Sequence, residues 1–424
     1  MDYRESLDYL YGLQHFGIKL GLENIRSLLE RLGRPHRNLR FLHIGGSNGK
    51  GSVAACLSEI LTRAGYRTGL YTSPHLHSFT ERIRIDGLAI AESQVAALAI
   101  EIRCACTDIP ATFFEFTTAL ALLHFQRQQV DFVVLEVGLG GRLDATNVVD
   151  PLVSVITPIC RDHVEHLGAD LPAIAREKGG IIKAGVPLVV GRQPPEVLQL
   201  LGALARESRA PMFACGDHFA SLAETGGFSY RGPEMNLAHL HPGLPGRHQH
   251  DNLALALTVA ALLRRQGIAV PTAALRAGVE HVFWPGRMEW WCGGRDILLD
   301  GAHNEGGARV LAQYLDSLRL GKKVRWVVGV KGDKRAPDIL EPILPHCGSL
   351  YCTTPPLVDA VPAAELARAA QEKGWPACVF SDPAAALEAA LRDRQSGELV
   401  LVAGSLFLVA SAREYLLLRA QIPA

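Results

Sequence analysis

The stretch that decides the fold is residues 40–61, RFLHIGGSNGKGSVAACLSEIL. The apolar run from Phe41 to Ile44 is typical of a short buried strand, and the segment from Val53 to Leu61 places apolar residues on one face of a helix. The loop between them is rich in glycine, which lets backbone N–H groups approach an anion closely. Lys50 adds a mobile positive charge, and the Ser52 hydroxyl is suited to Mg²⁺. A strand, a glycine-rich loop and a helix start in this order predict a loop that binds nucleotide phosphates.

The spacing within this loop departs from the general phosphate-loop pattern. In that pattern Ser or Thr directly follows the lysine, whereas here Gly51 stands between Lys50 and Ser52, and the leading glycine comes one residue late. A glycine-rich turn without a ligand is the alternative interpretation. It leaves unexplained why such a loop, a lysine and a hydroxyl coincide at a strand end.

The composition is that of a globular enzyme. A chain of 424 residues is long enough for two or three domains with large cores. Its formal net charge is zero, so neither nucleic acid nor an acidic membrane is expected as a partner. The nine cysteines form no C-x-x-C pair and the 16 histidines are dispersed, which favours reduced thiols over disulfides or a metal tract. Residues 1–17 do not resemble a signal peptide, and no apolar run is long enough to span a membrane. We therefore expect a cytoplasmic protein.

Apolar runs typical of strands alternate with helical patterns along most of the chain. The expected strands lie at residues 41–44, 68–72, 130–137, 152–157, 187–191, 296–300, 324–330, 350–352, 378–380 and 399–403. This alternation predicts an α/β fold with parallel sheets and with ligand loops at the carboxyl ends of the strands. We interpret residues 192–247 as less regular and the Pro-Gly break at residues 283–288 as a hinge. The expected domains are residues 1–288 and residues 289–424.

Polar residues follow several strands of the first predicted domain. Ser73 comes after the second strand, Glu136 lies near the end of the third, and Asp162 and His163 come shortly after the fourth. A carboxylate inside an apolar strand is costly to bury unless it meets a positive charge. We therefore predict that Ser73, Glu136 and His163 hold Mg²⁺. The alternatives are that Glu136 pairs with Arg142 or with a helix terminus, that Ser73 is a turn residue and that His163 is an ordinary loop histidine.

A family resemblance becomes specific once these fragments are taken together. They are GSNGKGS (46–52), TSPHL (72–76), EVGLGGRLDATN (136–147), DH (162–163), EKGGIIK (177–183), PGR (285–287), DGAHN (300–304) and AGSLFLV (403–409). In this order they resemble the folylpolyglutamate synthase/dihydrofolate synthase family, which are ATP-dependent amide ligases of the Mur-ligase group. The resemblance spans nearly the whole chain. It implies an N-terminal P-loop ATPase domain with a parallel sheet and a smaller, Rossmann-like C-terminal α/β domain on the glutamate side.

The resemblance also implies roles for single residues in the use of ATP. The residues that would contact ATP are Ser47, Asn48, Gly49, Lys50, Gly51, Ser52, Asn252, Arg287 and Asp300. Ser73, Glu136 and His163 would hold Mg²⁺, with two ions per site. Lys178 matches a lysine that such ligases carbamylate, which turns a cation into an anion able to orient the second ion. The alternative for Lys178 is an ordinary surface lysine.

Other residues would hold the two substrates that are joined. The folate-binding residues implied are Thr112, Phe113, Phe114, Glu115, Leu143, Asp144 and Ala145. An aromatic ring there can stack on a flat pterin, and Asp144 can accept hydrogen bonds from its amino group, although Phe113 or Phe114 can also be plain core. His303 and Ser405 would lie near the incoming glutamate. The catalytic residues implied are Lys50, Lys178 and His303. Residues 19–21 would close over the folate, and we assign no role to residues 333–335.

The expected reaction is the ATP-dependent addition of L-glutamate to dihydropteroate and to reduced folates by a monomeric enzyme. Several alternatives stay open at this point. They are a folylpolyglutamate synthase without the dihydropteroate activity, a ligase of cell-wall peptides, a P-loop kinase or nucleotide hydrolase, and a non-catalytic nucleotide-binding module.

Overall fold

The computed structural model describes residues 1–17, 21–291, 296–320, 323–332, 334–357 and 359–420. The chain divides into two compact units. The first unit comprises Met1–Ile159, Val164–Gly243 and Gln249–Phe283, and the second comprises Cys160–His163, Leu244–His248 and Trp284–Ala424. The last segment of the second unit thus begins at Trp284, whereas the sequence placed the domain boundary after Met288.

The first unit is built on a mostly parallel sheet. Its strands are β1 (Phe41–Gly45), β2 (Thr68–Tyr71), β3 (Ile83–Ile85), β4 (Leu88–Ala89), β5 (Phe132–Glu136), β6 (Pro151–Ile156), β7 (Leu188–Val190) and β8 (Met212–Ala214). They lie in the order β4-β3-β2-β5-β1-β6-β7-β8. Strands β1 and β5 are buried along their whole length, as expected of central strands covered on both faces. The carboxyl ends of β2, β5, β1 and β6 are therefore neighbours at one edge of the sheet.

Helices of the first unit cover this sheet. They are α1 (Tyr3–Gly12), α2 (Glu23–Arg31), α3 (Lys50–Arg63), α4 (Glu92–Ala105), α5 (Phe113–Arg127), α6 (Val164–Leu167), α7 (Leu171–Gly179), α8 (Pro195–Glu207), α9 (Arg247–Arg265) and α10 (Thr272–His281). One core joins α1, α2, α4 and α5 to the sheet around Phe116 and Leu120. A second core joins α7 and α8 to β6 and β7 around Ile174 and Leu201.

The prediction that residues 192–247 are less regular is wrong. This region contains α8, β8 and an antiparallel sheet of β9 (Ala220–Glu224), β10 (Gly227–Gly232) and β11 (Met235–Leu240) in the order β11-β10-β9. The sequence signal is weak because β9 and β11 are short and bury few residues, one in β9 and three in β11. The sheet of the first unit is also not wholly parallel, since β3 pairs with both β2 and β4 in antiparallel fashion.

The second unit carries another mostly parallel sheet. Its strands are β12 (Glu289–Trp291), β13 (Ile297–Asp300), β14 (Val324–Val328), β15 (Cys347–Cys352), β16 (Ala377–Val379) and β17 (Leu399–Ala403), in the order β12-β13-β17-β14-β15-β16. Its helices are α11 (Glu305–Leu318), α12 (Ala336–Ile343), α13 (Ala363–Gln371), α14 (Pro383–Asp393) and α15 (Leu406–Ala420). Trp326 and Leu401 are fully buried at the centre of its core. Only the edge strand β12 runs antiparallel to its neighbour among the strands of this sheet that are described.

The expected α/β class is therefore confirmed in both units. Small differences concern where helices begin: α3 begins at Lys50 rather than Val53, and α9 begins at Arg247 rather than Asp251. Within the described ranges, no helix combines the length and the apolar character that crossing a membrane requires.

Candidate active site

The predicted phosphate loop joins the carboxyl end of β1 to the first residue of α3. Gly49 caps α3 in a left-handed conformation (φ 89°) and no side chain caps the helix start. The first N–H groups of a helix have no intrahelical acceptor, and they carry the positive end of its dipole. Lys50 and the buried Ser52 lie in this first turn. The arrangement provides backbone donors and an ammonium group for an anion.

Two glycines in this loop cannot be replaced without displacing a neighbour. A Cβ on Gly46 (φ 131°) would lie 2.0 Å from Thr157 Oγ1, and a Cβ on Gly49 would lie 2.5 Å from Asn252 Oδ1. The second contact places Asn252, a predicted ATP ligand on α9, directly beside the loop. Asn252 is buried and donates to Gln249 Oε1 at 2.9 Å, which fixes its amide orientation.

The carbonyl of Gly46 accepts hydrogen bonds from two lysine side chains. Lys50 Nζ donates to it at 3.2 Å, and Lys178 Nζ donates to it at 2.9 Å. Lys178 is buried near the end of α7, so the interpretation as an ordinary surface lysine is wrong. Two residues assigned to catalysis from distant parts of the sequence therefore meet at one backbone atom.

Ser47 and Asn48, both predicted to contact ATP, have backbone N–H groups that are engaged within the protein. Their backbone N–H groups donate to the Pro158 carbonyl at 3.1 and 3.2 Å. In this structure these two N–H groups tie the loop to the end of β6.

Two of the three predicted metal ligands lie side by side. Ser73 N donates to Glu136 Oε2 at 3.2 Å, and Glu136 pairs in register with Ile44, just before the phosphate loop. Arg142 forms its ion pair with Glu177 at 2.9 Å, so the alternative that it neutralises Glu136 is wrong. His163 belongs to the second unit.

The donor set fits a hard divalent cation. In the described part of the chain, no three His, Cys, Asp or Glu side chains form a group that could hold a metal ion. A site at Glu136 therefore needs other oxygen donors, such as the Ser73 hydroxyl and phosphate oxygens, and these are the ligands that Mg²⁺ and Mn²⁺ prefer.

Thr112 and Glu115, predicted to bind folate, form the capping box of α5. Glu115 N donates to Thr112 Oγ1 at 3.3 Å, and Thr112 N donates back to Glu115 Oε2 at 2.8 Å. The Thr-x-x-Glu spacing is the sequence signature of such a cap, and it was overlooked. Both residues are buried.

The two phenylalanines at the start of α5 are partly buried, and both pack against the core. Phe113 stacks on Tyr11 with ring centroids 5.8 Å apart and meets the edge of Phe79 at 6.3 Å. Phe114 packs over Gly138, where a Cβ would lie 2.4 Å from its ring. Phe113 therefore forms an aromatic group with Tyr11 and Phe79, whereas Phe114 packs against the loop that follows β5.

Asp144 belongs to a buried polar chain that reaches β1. Its Oδ2 accepts from Leu139 N at 2.8 Å, and its Oδ1 accepts from the Thr146 hydroxyl at 2.5 Å. The Thr146 hydroxyl, having donated its proton, accepts from His43 Nε2 at 2.9 Å. Burial raises the pKa of Asp144, and hydrogen bonds from Leu139 and Thr146 act in the opposite direction. Leu143 and Ala145 flank this carboxylate, so the predicted folate residues of this loop lie together.

The predicted residues of the second unit gather at the carboxyl edge of its sheet. Asp300 ends β13 and accepts from the backbone N–H groups of Met288 and Ala302, each at 2.9 Å. Burial raises its pKa, while the nearby Arg287 guanidinium lowers it. Ser405 follows the neighbouring strand β17, and its hydroxyl accepts from Phe407 N at the start of α15.

His303 lies beside an acidic centre that sequence analysis did not assign. Its Nδ1 contacts the Gly301 carbonyl at 2.7 Å, and its Nε2 lies 3.8 Å from Asp162 Oδ2. Asn304 caps α11, and its amide donates to Asp162 Oδ2 at 3.0 Å.

Lys334, in the segment to which we assigned no role, forms an ion pair with the same carboxylate at 2.6 Å. Burial alone would raise the pKa of Asp162, but His303, His163 and Lys334 outweigh burial and hold that pKa well below its usual value. Asp333 lies outside the described residues, as do Lys19 and Leu20. Nothing in the sequence near Lys334 points to residue 162, because the two are 172 positions apart.

His163 has a left-handed backbone (φ 51°), which costs free energy for any residue with a side chain. Its backbone N–H donates to Asp162 Oδ1 at 3.0 Å. Strain of this kind is typical of residues held in place for a function.

Comparisons with known proteins agree with this arrangement. The Mur ligase middle domain matches residues 44–260, and the Mur ligase glutamate ligase domain matches residues 286–406. The dihydrofolate synthase/folylpolyglutamate synthase of Bacillus subtilis is 34% identical over 429 residues, which cover 98% of this chain and 99% of the relative. Escherichia coli FolC in complex with DHPP and ADP has a TM-score of 0.91 at 33% identity and covers 99% of both chains. The bifunctional folylpolyglutamate synthase/dihydrofolate synthase of Yersinia pestis, complexed with AMPPNP and Mn ion, has a TM-score of 0.87 at 34% identity over 98% of both chains. The chain belongs to the dihydrofolate synthase/folylpolyglutamate synthase family, the folate-directed ATP-dependent ligases of the Mur ligase group.

Proposed function

We propose that this ligase has both activities, adding L-glutamate to dihydropteroate and to reduced folates that already carry glutamate. The observation that carries the proposal is the phosphate loop, where Lys50 and the uncapped first turn of α3 provide donors for ATP. The neighbouring aromatic and Asp144 elements support a pterin substrate. No cysteine of the described residues forms a disulfide, which suits a reducing cytoplasm. A monomer is our expectation for the assembly.

In this proposal, the ATP phosphates lie against the first turn of α3 and Lys50, beside Asn252. Arg287 and Asp300 are the ATP contacts assigned to the second unit. Ser73, Glu136 and His163 would hold Mg²⁺, which neutralises phosphate charge when bound.

The pterin-carrying acid is assigned to the aromatic group of Tyr11, Phe79 and Phe113 and to the loop at Asp144, with the pterin end at Asp144. Asp144 has its orientation fixed by Leu139 N and Thr146. A carboxylate held in this way can accept from the pterin amino group without reorganising, because its position does not change when the substrate arrives.

The reaction proceeds in two steps. A carboxylate oxygen of the pterin-carrying acid attacks the γ-phosphorus of ATP, the bond to ADP breaks, and an acyl phosphate forms. The amine of glutamate then attacks the acyl carbon, phosphate leaves as the amide forms, and the amine loses its proton. His303 is assigned to the glutamate side, where burial keeps its pKa below the ordinary value, so that its neutral ring can accept that proton. Positioning and charge neutralisation supply most of the rate enhancement.

The proposal is tested by measuring glutamate-dependent ADP release with dihydropteroate and, in parallel, with tetrahydrofolate. We expect turnover with both acids. Lys50→Ala should lower the turnover rate about 100-fold or more while leaving the fold intact. The matched control is Arg63→Ala at the other end of α3, where the exposed Arg63 pairs with Glu59.

Turnover with only one of the two acids would agree with the family assignment but contradict the proposal that both activities are present. ADP release that does not depend on glutamate would instead indicate a kinase or a nucleotide hydrolase. Near-normal turnover in Lys50→Ala would contradict the assignment of the phosphate loop.

A further inference from the structure

Arg82 is a buried cation without an assigned role. It ends the short 3-10 helix Phe79–Arg82 just before β3, and only 8% of its surface is exposed. Its Nε donates to His75 Nδ1 at 2.8 Å. Because Nδ1 accepts this hydrogen bond, it carries no proton there and His75 brings no negative charge to the guanidinium. In the part of the chain that is described, the two terminal amino groups of Arg82 have no acceptor within hydrogen-bond distance.

The carboxylate next to Arg82 in the sequence is already engaged. Both oxygens of Glu81 accept from backbone N–H groups, those of Leu76, His77 and Ser78, at 2.9–3.0 Å. These bonds close the loop before the 3-10 helix and hold Glu81 within it. No ion pair joins Arg82 to any carboxylate of the described residues within 4.0 Å.

A guanidinium that is buried in this way is expensive, because it loses hydration while the nearest carboxylates, Glu136 and Glu81, act on it only from beyond ion-pair distance. Proteins retain such a group where a ligand completes it. Arginine is suited to carboxylate and phosphate ligands because its planar fork offers paired N–H donors.

The surroundings of Arg82 indicate which ligand this is. On one side, its Cζ lies 5.2 Å from the centre of the Phe113 ring, in the aromatic group assigned to the pterin-carrying acid. On the other side, its carbonyl accepts from Thr72 N at 3.0 Å, and Ser73, the candidate metal ligand, follows at once. Arg82 therefore lies between the aromatic group and the place where the acid is to be activated.

We propose that Arg82 binds the carboxylate of the pterin-carrying acid, the group that ATP phosphorylates. This assignment rests on the proposed function and adds a specificity residue to it. Arg82 presents its terminal N–H groups to the substrate carboxylate, and the Phe113 ring supports the guanidinium from behind by a cation–π contact. An acid is thereby preferred over a neutral pterin of the same size.

The test compares two ligands in two forms of the full chain, with a non-hydrolysable ATP analogue and Mg²⁺ present. The ligands are dihydropteroate and its carboxylate-free analogue, in which aniline replaces aminobenzoate. We expect the wild-type chain to bind dihydropteroate about 30-fold more tightly than the analogue. In Arg82→Met this ratio should fall to about one, and Arg82→Lys should keep part of it because it retains the charge.

Arg84→Met is the matched control, since Arg84 lies two positions away and donates to the Glu81 carbonyl; its ratio should equal that of the wild type. If Arg82→Met weakened both ligands equally, Arg82 would support the fold or Phe113 only, and the assignment would be overturned. The same holds if Arg82→Lys kept the wild-type fold but lost the whole ratio. A wild-type chain that bound neither ligand would overturn the proposed function itself, a result that is distinguishable from these.

Discussion

At the scale of single residues, the Gly46 carbonyl brings two ammonium groups together. Lys50 and Lys178 both donate to it, and like charges that share an acceptor repel one another. Conversion of Lys178 to a carbamate replaces one of the two positive charges by a negative one. The repulsion then becomes an attraction, and the site gains an oxygen ligand for a divalent cation. If Lys178 is carbamylated, as the family resemblance implies, relief of this repulsion is the physical reason we infer for the modification.

Lys178→Ala tests this role. We expect activity to fall about 100-fold or more because the anion is lost, and small carboxylates such as acetate should restore part of it by occupying the vacated space. The wild-type chain incubated with ¹³C-bicarbonate should show a carbamate resonance that Lys178→Ala lacks.

Lys183→Ala is the control for that experiment. Lys183 also donates to a backbone carbonyl, that of Asn147 at 3.0 Å, and is partly buried on the same segment. It should retain both activity and the resonance. An unchanged rate in Lys178→Ala would count against carbamylation. So would a loss of activity that small carboxylates do not restore.

At the scale of elements, α7 determines where Lys178 lies. Asp170 caps this helix by accepting from Ala173 N at 2.7 Å, and Pro172 follows in its first turn. The helix spans only Leu171–Gly179, and a helix this short depends on its cap and on packing rather than on propensity. Lys178 lies in the last turn, so fraying of α7 moves its ammonium group away from the phosphate loop.

Asp170→Ala should therefore affect both stability and catalysis. We expect a loss of about 1 kcal/mol in the free energy of unfolding and a several-fold fall in kcat. Asp382→Ala provides a matched control, because Asp382 caps α14 of the second unit with the same geometry, accepting from Ala385 N at 2.9 Å. It should cost a similar free energy and leave kcat unchanged. Equal effects of the two variants on kcat would show that α7 has no special role.

The capping box of α5 illustrates how one set of residues supports two interpretations. Thr112 and Glu115 satisfy the helix start, and the residues between them, Phe113 and Phe114, are held in place by it. The sequence pointed correctly to this segment, but the pattern by itself could not separate residues that contact a ligand from residues that build the helix presenting them.

At the scale of the whole molecule, buried neutral histidines link stability to pH. Burial lowers the pKa of His43 to about 3 and that of His124 to about 4, from an ordinary value of 6.5. Because these folded-state values are depressed, the unfolded chain binds more protons between pH 4 and pH 6.5. Their contribution to stability is complete above pH 6.5 and is lost as the pH falls toward these values.

We expect acidification from about pH 7.5 to about pH 5.5 to cost about 1 kcal/mol per buried histidine. His124→Gln should reduce this loss by about that amount, whereas His281→Gln, at an exposed position, should not change it. Chemical unfolding should be followed by far-ultraviolet circular dichroism rather than by tryptophan fluorescence. All five tryptophans lie in the second unit, so their fluorescence would not report the unfolding of the first unit, where both histidines lie. The same pH dependence in all three proteins would contradict the explanation.

The sequence by itself determined the fold class, the phosphate loop and the family. These depend on local signals. An apolar run followed by glycines and a lysine lies within about 20 residues, so it can be recognised without knowledge of the rest of the chain. Strands with strong apolar character, such as β5 and β17, were predicted for the same reason. The short strands β9 and β11 were missed, because they bury few of their five and six residues and so give a weak apolar signal.

Only the tertiary structure decided which distant residues share an environment. The contacts of Lys178 with Gly46, of Lys334 with Asp162 and of His43 with Thr146 join segments 132, 172 and 103 positions apart. The absence of a direct ion pair between Arg82 and Glu81 likewise depends on Glu81 being engaged by backbone N–H groups. No periodicity along the chain encodes such pairings, because they arise from the order of strands in a sheet and from what each buried charge or hydrogen-bonding group can find as a partner once water is excluded.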